Sequence, residues 1–189
     1  MFKHLTKDGI AQYDNLLSAE ECLELMTLQN KTGHQHNSYD NTREYDVDVP
    51  QHYTDRFTKV FREYLKHYNI LDIYQYTGSK MQYTNGDIHV HCDLEQYHDQ
   101  PLLRHFSILI YLNGDDIEGG ELILPRQKVI IKPKTGQLII FPIGVFYPHM
   151  VNVCYTDVKR WALRPFWLLD PYSPLYLDAH YRSFVEEDK

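Results

Sequence analysis

The chain has 189 residues, 43% of them apolar, enough to build one domain with a sizeable core, and it carries a formal net charge of −7 at pH 7. That acidity, with a pI near 5.8, argues against a nucleic-acid partner, because neutralising the phosphate backbone dominates such affinity. No run is apolar for long enough to span a membrane, the start MFKHLTKDGI lacks the apolar core of a secretory signal, and Cys22, Cys92 and Cys154 have no CxxC spacing; a soluble, cytoplasmic protein with free thiols is therefore expected.

In chain order, LLSAEECLELM predicts a first helix over 17–26, with Ser18 as N-cap and Glu21 completing a capping box. The polar, acidic stretch from Asn37 to His52 has no sustained period and is expected to be a loop; its charges at Asp40 to Asp48 would suit a lid that recruits a basic substrate. A second helix is predicted from about Thr54 to Tyr68, where Phe57, Val60, Phe61, Tyr64 and Leu65 recur at helical spacing. After Leu71 the pattern changes to short β-type runs separated by turn residues: IYQY, KMQYT, DIHVHCD, HFSILIYLN, ELILP, KVIIK, GQLIIFP, HMVNV and KRWALRPFWLL. That many closely spaced strands predict a jelly-roll or barrel, mainly β with supporting N-terminal helices. One domain is expected, with helical support over about 1–70, a β core over about 71–170 and an extension over about 171–189 that forms a further short helix from 174 to 187.

Eleven histidines and sixteen tyrosines draw attention to metal chemistry. In Ile88-His89-Val90-His91-Cys92-Asp93, alternation puts His89, His91 and Asp93 on one face and Cys92 on the other. His-x-Asp is expected about once by chance in such a composition, so the pair needs a third ligand from a distant strand. His149 is the best candidate, since it follows the apolar run GQLIIFP and a short turn-rich connection. Two imidazoles and one carboxylate leave coordination positions open, as a ferrous oxygenase requires for a chelating 2-keto acid and O₂. His89 is read as structural, Cys92 as a small packing residue, and His34, His36, His98 and His105 have no spacing that selects them.

A 2-keto dicarboxylate also needs a cation for its far carboxylate, and a guanidinium suits this better than an ammonium. In VKRWALRPFW, Arg160, Ala162 and Arg164 share one face and Lys159, Trp161 and Leu163 the other; Arg160 is the chosen anchor and Lys159 the alternative. Tyr111 is a candidate hydroxyl donor to the same carboxylate, and Tyr83 a candidate pocket residue.

Taken together, YDNLLSAEECLELM, QYTNGDIHVHCD, RHFSILIYLN, GGELILP, KPKTGQLIIFP, PHMV and KRWALRPFW resemble, in this order, the prolyl 4-hydroxylase-like branch of the 2-oxoglutarate and iron(II) dioxygenases. The resemblance implies a double-stranded β-helix, Fe(II) held by His91, Asp93 and His149, and 2-oxoglutarate held by Arg160 and Tyr111. It implies hydroxylation of an unactivated C–H bond with release of succinate and CO₂, and it names ascorbate as a further candidate cofactor. The family's basic residue usually follows the distal histidine sooner than Arg160 does, which keeps Lys159 in view. A prolyl residue in a peptide or protein is the first substrate implied, and a free amino acid or other small molecule the second. An AlkB-like nucleic-acid demethylase ranks lower, because the charge is unfavourable and the arginine pattern of that group is missing after His149. A non-enzymatic, cupin-like metal-binding module is the remaining alternative.

Overall fold

The computed structural model describes residues 2–28, 35–37, 42–84, 86–93 and 103–169. Its strands, in chain order, are β1 (Phe2–His4), β2 (Ala11–Tyr13), β3 (Gln35–Asn37), β4 (Thr42–Val47), β5 (Tyr74–Thr84), β6 (Ile88–His91), β7 (Leu103–Arg104), β8 (Phe106–Tyr111), β9 (Leu122–Leu124), β10 (Val129–Ile131), β11 (Leu138–Pro142), β12 (His149–Val151) and β13 (Arg160–Leu169). Two helices accompany them, α1 (Ala19–Met26) and α2 (Gln51–His67). Among the described residues no helix is long and apolar enough to cross a membrane.

The strands form two antiparallel sheets. The larger runs β1-β2-β11-β8-β13-β5-β4-β3, with β7 also paired to β13, and the smaller runs β10-β9-β12-β6. This is the jelly-roll architecture that the spacing of the β-type runs predicts.

Two apolar clusters show how the sequence specifies the layers. Strand β8 alternates Ile108 and Ile110 with Leu109 and Tyr111, and β11 alternates Leu138 and Ile140 with Ile139 and Phe141. The first set packs with Tyr53, Phe57, Phe61 and Tyr64 of α2, whereas the second packs with Leu122, Leu124, Ile131 and Val151 of the smaller sheet. Both faces of the central strands are thus covered, which is why they read as continuous apolar runs.

The capping box at α1 forms as expected: Glu21 N–H donates to Ser18 Oγ at 3.2 Å, and Ser18 N–H donates to Glu21 Oε2 at 2.9 Å. Both Glu21 oxygens also accept from Arg56 at 2.9 Å, which ties α1 to α2. Helix α2 begins earlier than its apolar period suggests because Gln51 and His52, in its first turn, are exposed and carry no period. Its centre is Phe61, 1% exposed and stacked on Trp167 with ring centroids 4.8 Å apart. Phe61→Ala is expected to cost about 3–5 kcal/mol of stability, read by denaturant unfolding, since the surrounding strands cannot collapse into the space.

Two expectations are corrected. The stretch predicted as a loop over 37–52 contains β4, which pairs with β5 from Thr42↔Thr84 to Val47↔Ser79, and the first residues of α2. Thr42 and Glu44 are buried yet polar, and the opposite face offers only Tyr45 and Val47, so little apolar alternation announces the strand. IYQY and KMQYT form one strand, because Thr77-Gly78-Ser79 is a bulge opposite Phe166 and not a turn. The predicted helix over 174–187, the extension over 171–189, His34 and His98 lie outside the described residues.

Candidate metal centre

Strands β6 and β12 are neighbours in the smaller sheet, and their register sets His91 directly opposite His149. Directly opposed residues project to the same face, so the ladder itself brings the two imidazoles together. Their ring centroids lie 4.3 Å apart. Asp93 follows the end of β6, where its carbonyl accepts from Gly144 N–H at 3.2 Å. Its Oδ1 is 3.6 Å from His91 Nε2 and 3.8 Å from His149 Nε2. One ligand atom from each residue lies within 4.8 Å of the others.

The imidazoles are oriented for metal binding. His91 Nδ1 lies 2.9 Å from the carbonyl of His89, and His149 Nδ1 lies 3.1 Å from that of Tyr147. A carbonyl only accepts, so each Nδ1 bears a hydrogen, and each Nε2 faces Asp93 Oδ1 and offers its lone pair once no proton occupies it. Phe141 closes one side, its ring centroid 4.9 Å from that of His149.

Protonation follows the surroundings. Burial opposes ionisation of Asp93, but the contact with His91 and the charges of Arg104, Arg164 and His149 outweigh it and hold the carboxyl well below the usual range. Contact with Asp93 raises the His91 pKa, whereas burial lowers that of His149. His91 thus keeps a proton on the ring to a higher pH than a free histidine, and a metal must displace it. Metal binding is therefore expected to tighten as pH rises through neutrality and to release a proton; calorimetry in buffers of different ionisation enthalpy measures that release.

A second polar pair lies in the apolar space between the sheets. Arg160 and Tyr111 are 3% and 0% exposed, and the guanidinium carbon lies 5.6 Å from the Tyr111 ring centroid. Arg160 Nη1 donates to the Gly120 carbonyl at 3.2 Å, yet Arg160 Nε and the Tyr111 hydroxyl have no partner among the described residues. Gly119 and Gly120, at φ +84° and +69°, shape the turn that presents this carbonyl; a Cβ on Gly119 would come within 2.0 Å of the Val153 carbonyl oxygen. Buried donors without acceptors are costly, and a cation and a hydroxyl placed together suit a carboxylate.

Register decides the other candidates. Trp161 pairs with Tyr83 and Arg160 with Thr84, so Tyr83 shares the sheet face of Trp161, opposite that of Arg160. Tyr83 stacks towards Trp161 at 4.9 Å on the helix-covered side and does not line the space around Arg160. The exposed Lys159 places its ammonium 4.3 Å from the Tyr83 ring centroid, which leaves Arg160 as the inward cation. His89 is exposed beside Asp87, and His105 contacts the Tyr74 hydroxyl at 2.8 Å. The three cysteines are free thiols, with Cys92 half-buried.

Sequence reasoning assigned no role to three charged residues around Asp93. Arg104 Nη2 donates to Asp93 Oδ2 at 3.0 Å, Arg164 Nη2 lies 3.7 Å from the same oxygen, and Arg164 also pairs with Glu44. The available signal was the inward face of Arg164 in β13: a cation projecting into a barrel needs a carboxylate nearby.

The donor set of two imidazoles and one carboxylate fits a divalent iron with open positions, and the Arg160–Tyr111 pair fits the far carboxylate of 2-oxoglutarate. Comparison with known proteins agrees with this chemistry. Residues 78–168 match the sequence profile of the 2OG-Fe(II) oxygenase superfamily. No curated protein sequence matches significantly. A viral collagen prolyl hydroxylase from Paramecium bursaria Chlorella virus-1, solved with 2-oxoglutarate, superposes with a TM-score of 0.67 at 22% identity, covering 85% of this chain and 96% of that one. A Pseudomonas putida prolyl-4-hydroxylase gives 0.61 at 18% identity, covering 86% and 93%. A Trichoplax adhaerens prolyl hydroxylase, in complex with a hypoxia inducible factor peptide fragment, gives 0.62 at 19% identity, covering 86% and 84%. From the profile match, the jelly-roll fold and the His-Asp-His cluster within it, residues 78–168 form a 2OG-Fe(II) oxygenase domain, and the chain is an enzyme of that class.

Proposed function

We propose that the chain couples 2-oxoglutarate and O₂ to the hydroxylation of an unactivated C–H bond, giving succinate, CO₂ and a hydroxylated product, and that its substrate is a prolyl residue in a peptide or protein. The observation that carries the co-substrate assignment is the buried Arg160–Tyr111 pair, whose Nε and hydroxyl have no acceptor among the described residues.

In this reading His91 Nε2, His149 Nε2 and Asp93 Oδ1 hold Fe(II), which supplies O₂ activation and the oxidising power for C–H cleavage. The chain's own residues supply orientation. The carbonyls of His89 and Tyr147 fix the imidazole tautomers, and Arg104 keeps Asp93 ionised while occupying its other oxygen. Arg160 and Tyr111 bind the distal carboxylate, while Leu109, Leu122, Ile139 and Phe141 exclude water around it.

The prolyl substrate is supported by the three prolyl hydroxylases among the structural neighbours, one of them solved with a peptide. With Glu44 committed to Arg164 and Lys80, recruitment of a basic substrate by this acidic stretch finds no support at that residue. The test is a mass-spectrometric screen of proline-containing peptides and free amino acids, with Fe(II), 2-oxoglutarate and ascorbate supplied. A gain of one oxygen on peptidyl proline, matched by stoichiometric succinate, supports the proposal. Oxygen gain only on a free amino acid would reassign the substrate, and succinate with no substrate at all would leave the peptide assignment without support.

A further inference from the structure

The metal-binding carboxylate stands at the centre of a chain of buried charges that begins on β4 of the other sheet. Asp93 divides its oxygens: Oδ1 faces both histidines, at 3.6 and 3.8 Å, while Oδ2 faces Arg104 at 3.0 Å and Arg164 at 3.7 Å. Arg164, on β13, reaches outward with Nη1 to Glu44 Oε1 at 2.5 Å. Glu44 lies on β4, and its Oε2 is 3.6 Å from Lys80 Nζ. The side chains of Asp93, Glu44 and Arg164 are only 11%, 7% and 12% exposed, so little solvent screens these pairs.

We propose that Glu44 is a positioning residue of the metal centre, acting through Arg164 to set how much of the Asp93 charge is available to iron. The inference rests on the iron assignment above and extends it to a residue of β4, a strand of the other sheet. Arg164 is shared between two carboxylates, and a guanidinium can hold both only because its nitrogens form a rigid fork. The Glu44 carboxylate draws Arg164 towards β4, so that Arg104 lies 3.0 Å from Asp93 Oδ2 and Arg164 comes only to within 3.7 Å. With the Glu44 charge removed by substitution, Arg164 pairs more fully with Asp93 and competes with the metal for its charge. A change at Glu44 is thereby felt at the iron ligand across two ion pairs.

The test is a double-mutant cycle read by Mn(II) affinity, from the electron paramagnetic resonance signal of free Mn(II), with no turnover involved. Mn(II) suits the same nitrogen and oxygen donors. Glu44→Gln, which keeps shape and removes charge, is expected to weaken binding about tenfold. Arg164→Met is expected to bind as tightly as the wild type or more so, because it removes the competing cation. Placing Glu44→Gln in the Arg164→Met background is expected to change affinity by less than about twofold, since the residue through which Glu44 acts is gone. Should Glu44→Gln not fold, Glu44→Asp replaces it; it keeps the charge but shortens the reach to Arg164, and the same two-background comparison applies. Equal effects of the Glu44 substitution in both backgrounds, or no effect in either, would overturn the proposal. Failure of the wild-type chain to bind Mn(II) would overturn the iron assignment and the proposal together, and is distinguishable because no variant is needed to see it.

Discussion

Replacing Arg160 with Met is expected to raise the 2-oxoglutarate requirement by at least about 30-fold while leaving the ligand-free protein as stable as the wild type, or more so. The two parts have one cause. Arg160 is 3% exposed, its Nε has no partner among the described residues, and its one hydrogen bond among them is to the Gly120 carbonyl. Without the co-substrate, this side chain holds a buried charge with no counter-ion among the described residues, which costs several kcal/mol; methionine fills similar space without that cost. With the co-substrate, the same guanidinium meets a carboxylate, and losing one partner of such a pair costs about 2–5 kcal/mol of binding. Thermal melts with and without 2-oxoglutarate read both effects, because a ligand that binds only the native state raises the melting temperature by mass action. An arginine serving only structure would give the reverse, a lower melting temperature without ligand and an unchanged increment with it. Tyr111→Phe should behave alike on a smaller scale, since it deletes a buried hydroxyl that lacks an acceptor.

The second large effect is at Asp93. Asp93→Ala is expected to weaken metal binding by more than about 100-fold, because it removes the anionic ligand, and also to destabilise the metal-free protein by about 3–5 kcal/mol. The stability loss arises at Arg104, whose side chain is 2% exposed and pairs with Asp93 Oδ2 at 3.0 Å. His91→Ala separates the two losses. The His91 side chain is 30% exposed and meets Asp93 at Oδ1, leaving the Oδ2 contact with Arg104 in place, so its removal should abolish metal binding while costing little stability. Equal destabilisation by the two variants would mean that the cluster is held together by packing and not by the ion pair. The pH dependence has a definite sign: the Asp93 pKa is depressed in the folded protein, so its contribution to stability is present above the ordinary aspartate range and is lost as the pH falls through the folded value.

The residues that the sequence made legible are those whose chemistry is independent of partners far along the chain. Two side chains able to bind a metal, two positions apart at the end of a strand, followed much later by a histidine after an apolar run, are a local pattern, and β6 and β12 bring the histidines together by register. The central strands were equally plain, because burial on both faces demands uninterrupted apolar runs. Strand β4 was hidden for the opposite reason. One face carries the buried polar residues Thr42 and Glu44, and the other carries only Tyr45 and Val47 as apolar residues, too short an alternation to announce a strand. Gly78 in β5 carried a turn signal, although across the sheet it forms a bulge opposite Phe166. Tyr83 was misplaced because its face follows from its pairing with Trp161, and alternation within β13 already set Trp161 opposite Arg160. The roles of Arg104, Arg164 and Glu44 depend on meetings across the barrel that spacing does not encode.

The account depends on a metal held by His91, Asp93 and His149 at one point in the barrel. Its most direct test is anomalous scattering at the iron edge from crystals grown without oxygen in the presence of Fe(II) and 2-oxoglutarate. The predicted result is a single iron peak about 2.0–2.2 Å from both Nε2 atoms and from Asp93 Oδ1, with a carboxylate of 2-oxoglutarate on Arg160 and Tyr111. Iron bound away from these three atoms, or absent from crystals of protein that is folded and saturated with both, would contradict it.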